Sequence, residues 1–179
     1  GVWNEKENRE IARDGLALDV AGELCAAGKE ARAPKLPSLC AFTHERTLAR
    51  HGRGALTLEV RACFDDLAPG QVLLDARNSS GKGYSLTTAG RGNVRLDICD
   101  GWRAAYWESD PGLLTTNREH HIAVVVDGGP QAILFVVDGE LADGGKERLF
   151  GFGRFDAAFK DLNGSPTLKL APNLRGALV

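Results

Sequence analysis

From Ala55 onward, apolar and polar residues alternate along the chain. Leu56, Leu58, Val60, Ala62 and Phe64 interleave with Thr57, Glu59, Arg61 and Cys63, the period of a strand with one face in a core and one in water. Val94, Leu96 and Ile98 repeat the pattern against Arg95, Asp97 and Cys99. The dominant apolar stretch is His120 to Leu141, HHIAVVVDGGPQAILFVVDGEL. It predicts two strands joined at Asp127-Gly128-Gly129-Pro130, with a second tight turn at Asp138-Gly139. Runs rich in Val and Ile and bounded by Asp-Gly pairs are a strong hairpin signal. Asp100-Gly101 reads as a two-residue turn between the Val94 strand and a partner at Trp102 to Glu108. Further strands are expected at Gln71 to Ala76, Tyr84 to Thr88, Thr167 to Leu170 and Leu174 to Val179. Pro- and Gly-bearing loops separate them at Asp65 to Gly70, Arg77 to Gly83, Ser109 to Gly112 and Asp161 to Pro166.

Residues 1–50 are less patterned. Leu16 to Val20 reads as a strand. Glu23 to Glu30 holds helix formers, limited by Gly22 and Gly28. Pro34 and Pro37 keep Ala33 to Ser38 extended, and His44 to Arg53 is a basic surface stretch. Helical periodicity is almost absent elsewhere. The chain is therefore read as one all-β domain over 1–179, a sandwich or barrel. Residues 1–50 form an irregular part with a first strand, and 51–179 the main body.

Composition narrows the function classes. The chain has 179 residues, enough for a sizeable core. Its 22 Lys and Arg nearly balance its 24 Asp and Glu, which argues against a nucleic-acid binder, since such a protein needs a basic stripe to neutralise phosphates. No apolar run reaches the roughly 20 residues of a membrane-spanning helix. Met is absent, and the chain is read as processed or excised from a longer one. The four cysteines, Cys25, Cys40, Cys63 and Cys99, include no Cys-x-x-Cys, so the spacing is not that of a zinc site. They leave disulfides and buried thiols both open. Cys63 and Cys99 fall on the outward side of their strands, which disfavours a core disulfide between them.

Several stretches together resemble a known family. Gly54-Ala-Leu-Thr-Leu-Glu-Val, Gly83-Tyr-Ser-Leu and Val94-Arg-Leu-Asp-Ile follow in order. Above all, His120-His-Ile-Ala-Val-Val-Val-Asp-Gly is followed by Phe135-Val-Val-Asp-Gly-Glu-Leu. This order is similar to the laminin-G-like, or concanavalin A-like lectin/glucanase, jelly roll. Phe150-Gly-Phe-Gly-Arg-Phe and Asp161-Leu-Asn-Gly resemble the branch appended to secreted bacterial glycoside hydrolases and sialidases. The resemblance spans roughly residues 50–179. It implies a two-sheet antiparallel jelly-roll sandwich, secreted or at the cell surface. It also implies that Leu16 to Val20 pairs with Gly176 to Val179.

The resemblance directs attention to three kinds of site. Glucanases of this superfamily carry Glu-x-Asp-x-Glu on one strand, because retaining hydrolysis needs two carboxylates at close range. Glu108-Ser109-Asp110 lacks the third acid, and Pro111 breaks the strand, so a glucanase is disfavoured; Glu59 has Arg61 as its same-face neighbour. Calcium is a cofactor the family suggests, with Asp65, Asp75 and Asp127 as ligand candidates and Asp66, Asp143 and others behind them. Sugar binding uses aromatic platforms beside polar groups, and the candidates are Trp102, Tyr106, Trp107, Asp110 and Asn78. Trp102 and Tyr106 are expected on one face of their strand and Trp107 on the other. His120 and His121 point to opposite faces, one buried and one partly exposed, and serve the scaffold. The expected function is a non-catalytic carbohydrate-binding or accessory module, with a glycan and a catalytic domain of the same parent chain as partners. The alternative is a protein-interaction or structural domain without a sugar site.

Overall fold

The computed structural model describes residues 29–36, 38–39, 54–143, 153–156 and 158–179. Two antiparallel sheets pack face to face, and no helix occurs among the described residues. The first sheet has the order β1-β11-β3-β4-β5-β6. Its strands are β1 (Lys29–Arg32), β3 (Val72–Asp75), β4 (Gly83–Ala89), β5 (Asn93–Cys99), β6 (Ala104–Glu108) and β11 (Thr167–Leu170). The second sheet has the order β10-β8-β7-β2-β12, with β9 beside β8. It holds β2 (Ala55–Phe64), β7 (Glu119–Asp127), β8 (Ala132–Val137), β9 (Glu140–Leu141), β10 (Gly153–Arg154) and β12 (Gly176–Leu178).

The period-two pattern has the consequence expected of it. Leu58, Phe64, Ile122, Val124, Ile133 and Phe135 of the second sheet are buried, as are Leu86, Leu96 and Ile98 of the first. They form the layer between the sheets, where apolar burial at about 25 cal/mol per Å² drives the packing. The alternate residues are left on the two outer faces. Register is thereby fixed, because a one-residue slip would turn every core side chain outward.

The His120–Leu141 stretch forms β7, β8 and β9, and β2 lies beside β7 over its whole length. The first turn is tied down from both sides. Asp127 Oδ1 accepts the Gly129 N–H at 2.8 Å, and the Gly128 N–H donates to the Gly54 carbonyl at 3.0 Å. A Cβ at Gly128 would overlap the Leu39 and Gly54 carbonyl oxygens. Asp138 and Gly139 have φ of 52° and 83°, the two left-handed positions of a tight hairpin turn.

Two expectations are corrected. Lys29 and Glu30 belong to an edge strand and not to a helical stretch, because their backbone pairs with Leu170 and Lys169; tertiary pairing overrides helix propensity. Asp100-Gly101 is part of a wider turn closed by Cys99 and Ala104. Asp100 Oδ1 accepts the Trp102 and Arg103 N–H groups at 2.9 and 2.8 Å, which pulls both residues out of the strand. The carboxy-terminal strand β12 pairs with β2, while Leu16 to Val20, its expected partner, lies outside the described residues. Cys63 and Cys99 are free thiols on different sheets, and Cys25 and Cys40 lie outside the described residues.

Candidate functional site

The outer face of the first sheet carries an ordered row of polar side chains. Lys169, Asp75, Ser85, Asp97 and Tyr106 are successive cross-strand partners on β11, β3, β4, β5 and β6. Each alternates with a buried neighbour, such as Leu168, Leu74, Tyr84, Leu86, Leu96 and Ile98, so the whole row points away from the core.

Two arginines lie over this row, each oriented by an aspartate two residues away. Arg77 donates through Nε and Nη2 to both oxygens of Asp75, at 2.9 and 3.0 Å. Arg95 does the same to Asp97, at 2.9 and 2.6 Å. A two-pronged pair of this kind holds a guanidinium in one orientation. It consumes one edge of the fork and leaves Nη1 of each arginine without a hydrogen bond among the described residues. Burial opposes ionisation of Asp75, but the hydrogen bonds from Arg77 and the charges of Arg77 and Lys169 outweigh it and hold the carboxyl below its ordinary value. The Asp97 carboxylate likewise raises Arg95 above its usual range. Asp75, Arg77 and Arg95 are therefore charged at neutral pH.

Ser85 sits between the two pairs. It is fully buried, yet its Oγ has no hydrogen-bond partner. An unsatisfied buried hydroxyl is uncommon in a folded protein. At one end of the row, Arg95 lies over the Tyr106 ring, 3.8 Å from its centroid, a cation–π contact. Tyr106 remains 57% exposed, so its other face is open. At the opposite end lies an open groove of about 570 Å³ lined by Asp75, Arg77, Asn78, Ser79, Ser165 and Lys169, among others. The Lys169 side chain forms no hydrogen bond or ion pair among the described residues.

The candidates read from the sequence are distributed unevenly around this face. Tyr106 lies on it, and Asn78 lines the groove. The Asn78 Oδ1 accepts the Ser80 and Lys82 N–H groups at 3.0 Å each, which shapes the loop beside the groove. Trp102 stands at the hairpin tip, 94% exposed, and does not share a strand face with Tyr106. Trp107 points to the interior side, edge-on to Phe155 with ring centroids 6.4 Å apart. Asp110 lies past the end of β6 and is tied by its N–H to the Ala142 carbonyl at 2.9 Å. The acids considered for calcium do not converge. Asp75 is engaged by Arg77, Asp127 by the turn at Gly129, and Asp65 stands at the end of β2. No group of three metal-ligating side chains occurs among the described residues.

His120 and His121 separate as alternation requires. His121 faces outward and pairs with Glu59 at 2.6 Å. His120 is fully buried. Its Nδ1 lies 2.9 Å from Asp138 Oδ2, and its Nε2 accepts the Thr115 N–H at 3.0 Å. Thr115 Oγ1 is also 3.0 Å from Nε2, so Thr115, His120 and Asp138 have the order of a nucleophile–base–acid relay. The lone pair that a base would use is occupied by the Thr115 backbone, and the arrangement instead fastens the loop before β7 to the β8–β9 turn.

The residues missed in the sequence are Arg77, Arg95, Lys169 and Ser85. A signal was present for two of them. Asp75-x-Arg77 and Arg95-x-Asp97 place opposite charges two residues apart, the second pair on one face of β5 and the first at the end of β3.

No family model matches the chain, and no curated protein matches it. Solved structures do share its fold. The carbohydrate-binding module CBM40 of the Ruminococcus gnavus IT-sialidase, bound to α2,3-sialyllactose, aligns with a TM-score of 0.54 at 14% identity over 86% of each chain. The same module bound to α2,6-sialyllactose gives 0.53 at 13% identity, covering 83% of this chain and 87% of that one. The leech intramolecular trans-sialidase gives 0.52 at 12% identity, covering 86% of this chain and 25% of that one. At such identities the likeness concerns the fold, a β-sandwich of the kind found in these modules.

Proposed function

We propose that the chain is a non-catalytic carbohydrate-binding module that takes glycan on the outer face of its first sheet. One observation carries this reading: Arg77 and Arg95 are held by aspartates on a flat polar row, with Nη1 donors uncommitted and Tyr106 beside them. Fixed donors next to an open aromatic ring are what a sugar with hydroxyl and carboxylate groups needs. Sialyllactose, the ligand of the R. gnavus module, makes a sialylated glycan the first to test. In this reading the chain is a secreted accessory domain of the laminin-G-like kind, serving a glycan-active catalytic domain of the same parent protein.

A glycan array probed with and without calcium tests the proposal. The expected result is binding to sialylated glycans that is lost in the Arg77→Ala/Arg95→Ala double variant while its circular dichroism is unchanged. An array on which the native chain binds nothing would sink the reading.

The second reading, a protein-docking domain, draws on a different surface. The outward positions of the second sheet include Ala123 and Val125 of β7 and Leu134 and Val136 of β8. Leu141 of β9 beside them is 64% exposed. Apolar outward positions of this kind suit a partner protein better than a sugar, and an empty array would favour that reading.

A further inference from the structure

The polar face has two anchors of different chemistry, and they stand at opposite ends of the row. Lys169 and the free Nη1 of Arg77 border the groove of about 570 Å³. Tyr106, backed by Arg95, stands at the other end. From β11 to β6 the row crosses β3, β4 and β5, which at roughly 4.8 Å between strands is about 19 Å. A single pyranose cannot touch both ends.

We propose that this face is an extended surface with two subsites. The groove takes an acidic sugar through Lys169 and Arg77, and Tyr106 carries a neutral sugar farther along the same oligosaccharide. The inference rests on the glycan-binding reading above. Charge assigns the ends. The Lys169 ammonium and Arg77 Nη1 are cationic donors without a hydrogen-bond partner among the described residues, and a carboxylate satisfies them. Tyr106 offers one open ring face, and the C–H face of a neutral pyranose packs on it as other apolar groups do. Its second face is covered by Arg95, which holds the ring in place. Ser85 supplies an independent sign that a ligand completes the row. Its buried hydroxyl lies midway between the anchors and lacks a partner.

Calorimetry with N-acetylneuraminic acid, 3′-sialyllactose and lactose tests the two-subsite arrangement. The native chain is expected to bind sialyllactose about tenfold more tightly than the free acidic monosaccharide. Tyr106→Ala should abolish that difference and leave the monosaccharide affinity within about twofold of native. Lys169→Ala should weaken both acidic ligands by a similar factor, about fivefold or more. Tyr106 and Lys169 are exposed, so both variants are expected to fold, and thermal melting checks this. Equal affinity of the native chain for monosaccharide and trisaccharide would overturn the inference, as would a Tyr106→Ala variant that weakens both alike. In either case glycan binding itself would stand. If neither acidic ligand binds, the glycan-binding reading falls and the two-subsite inference falls with it.

Discussion

Replacing Asp138 should destabilise the fold by an amount that depends sharply on the replacement. Its Oδ2 takes the proton-bearing Nδ1 of buried His120 at 2.9 Å, and its Oδ1 takes the His121 N–H at 2.9 Å. Arg118 reaches Oδ2 at 3.3 Å, but its side chain is 65% exposed, so that pair contributes little. Asp138→Ala strands the His120 N–H in the interior, at about 1–3 kcal/mol. It also places a non-glycine residue without a helpful side chain at φ 52°, which adds about 1 kcal/mol. The sum is about 3 kcal/mol, or a fall in Tm of roughly 6–12 °C for a domain of this size. Asp138→Gly relieves the backbone but not His120, and should lose about 2 kcal/mol. Asp138→Asn should lose only about 1 kcal/mol. Asparagine tolerates this φ, and its Oδ1 can still accept the His120 Nδ1 proton, so that what is lost is the carboxylate charge and the bond to the His121 N–H.

The Asp138 carboxyl also titrates with folding. Burial opposes its ionisation, but the His121 N–H, His120 and Arg118 outweigh that and hold it below its ordinary 3.8. A group depressed on folding contributes stability above its unfolded value and loses it as pH falls through the folded one. Urea unfolding of the three variants at neutral pH, and again well below pH 3.8, measures both effects. The order Asn, Gly, Ala is expected, with the gap between native and Asn narrowing in acid. Equal losses for Asn and Ala, or an Ala variant within about 0.5 kcal/mol of native, would refute the role given to His120.

Other outcomes follow from the same structure. Asp75, Asp100 and Asp161 are depressed like Asp138: burial opposes each ionisation, and hydrogen bonds outweigh it. Melting temperature should therefore fall steadily as pH drops below about 3.8. Gly128→Ala should destabilise by about 2 kcal/mol or more, since its Cβ meets backbone oxygen on both sides and neither can yield as a side chain could. Urea unfolding checks it, and a neutral result would mean the turn is looser than described. Trp102→Ala should leave stability within about 0.5 kcal/mol of native, because its 94% exposure leaves almost no packing to lose.

Much of the fold was legible in the sequence, and the site was not. Leu56 through Phe64 and His120 through Leu141 announce strands because one face of each must be buried, and burial imposes period two on the residues. Turn chemistry was legible where glycine follows aspartate. It misled at Asp100, where the carboxylate caps two successive amides and widens the turn past Trp102. The N-terminal edge strand was hidden because Lys29 to Arg32 bury little and owe their conformation to β11. The polar row was illegible for a topological reason. Lys169, Asp75, Ser85, Asp97 and Tyr106 lie on strands adjacent in space in an order the chain does not follow, since β11 inserts between β1 and β3. Tyr106 and Asn78 signalled themselves, one by ring chemistry and one by its loop, and Asp75 only as a candidate for calcium.

The central claim is that glycan binds across β3, β4, β5 and β6 on their outer face. Amide chemical-shift mapping during a titration with 3′-sialyllactose measures this directly. Saturable shifts concentrated at Asp75 to Asn78, Ser85, Arg95 to Asp97 and Tyr106 are the predicted result. Shifts confined to the second sheet around Ala123, Leu134 and Leu141, or no shifts at any ligand concentration, would contradict it.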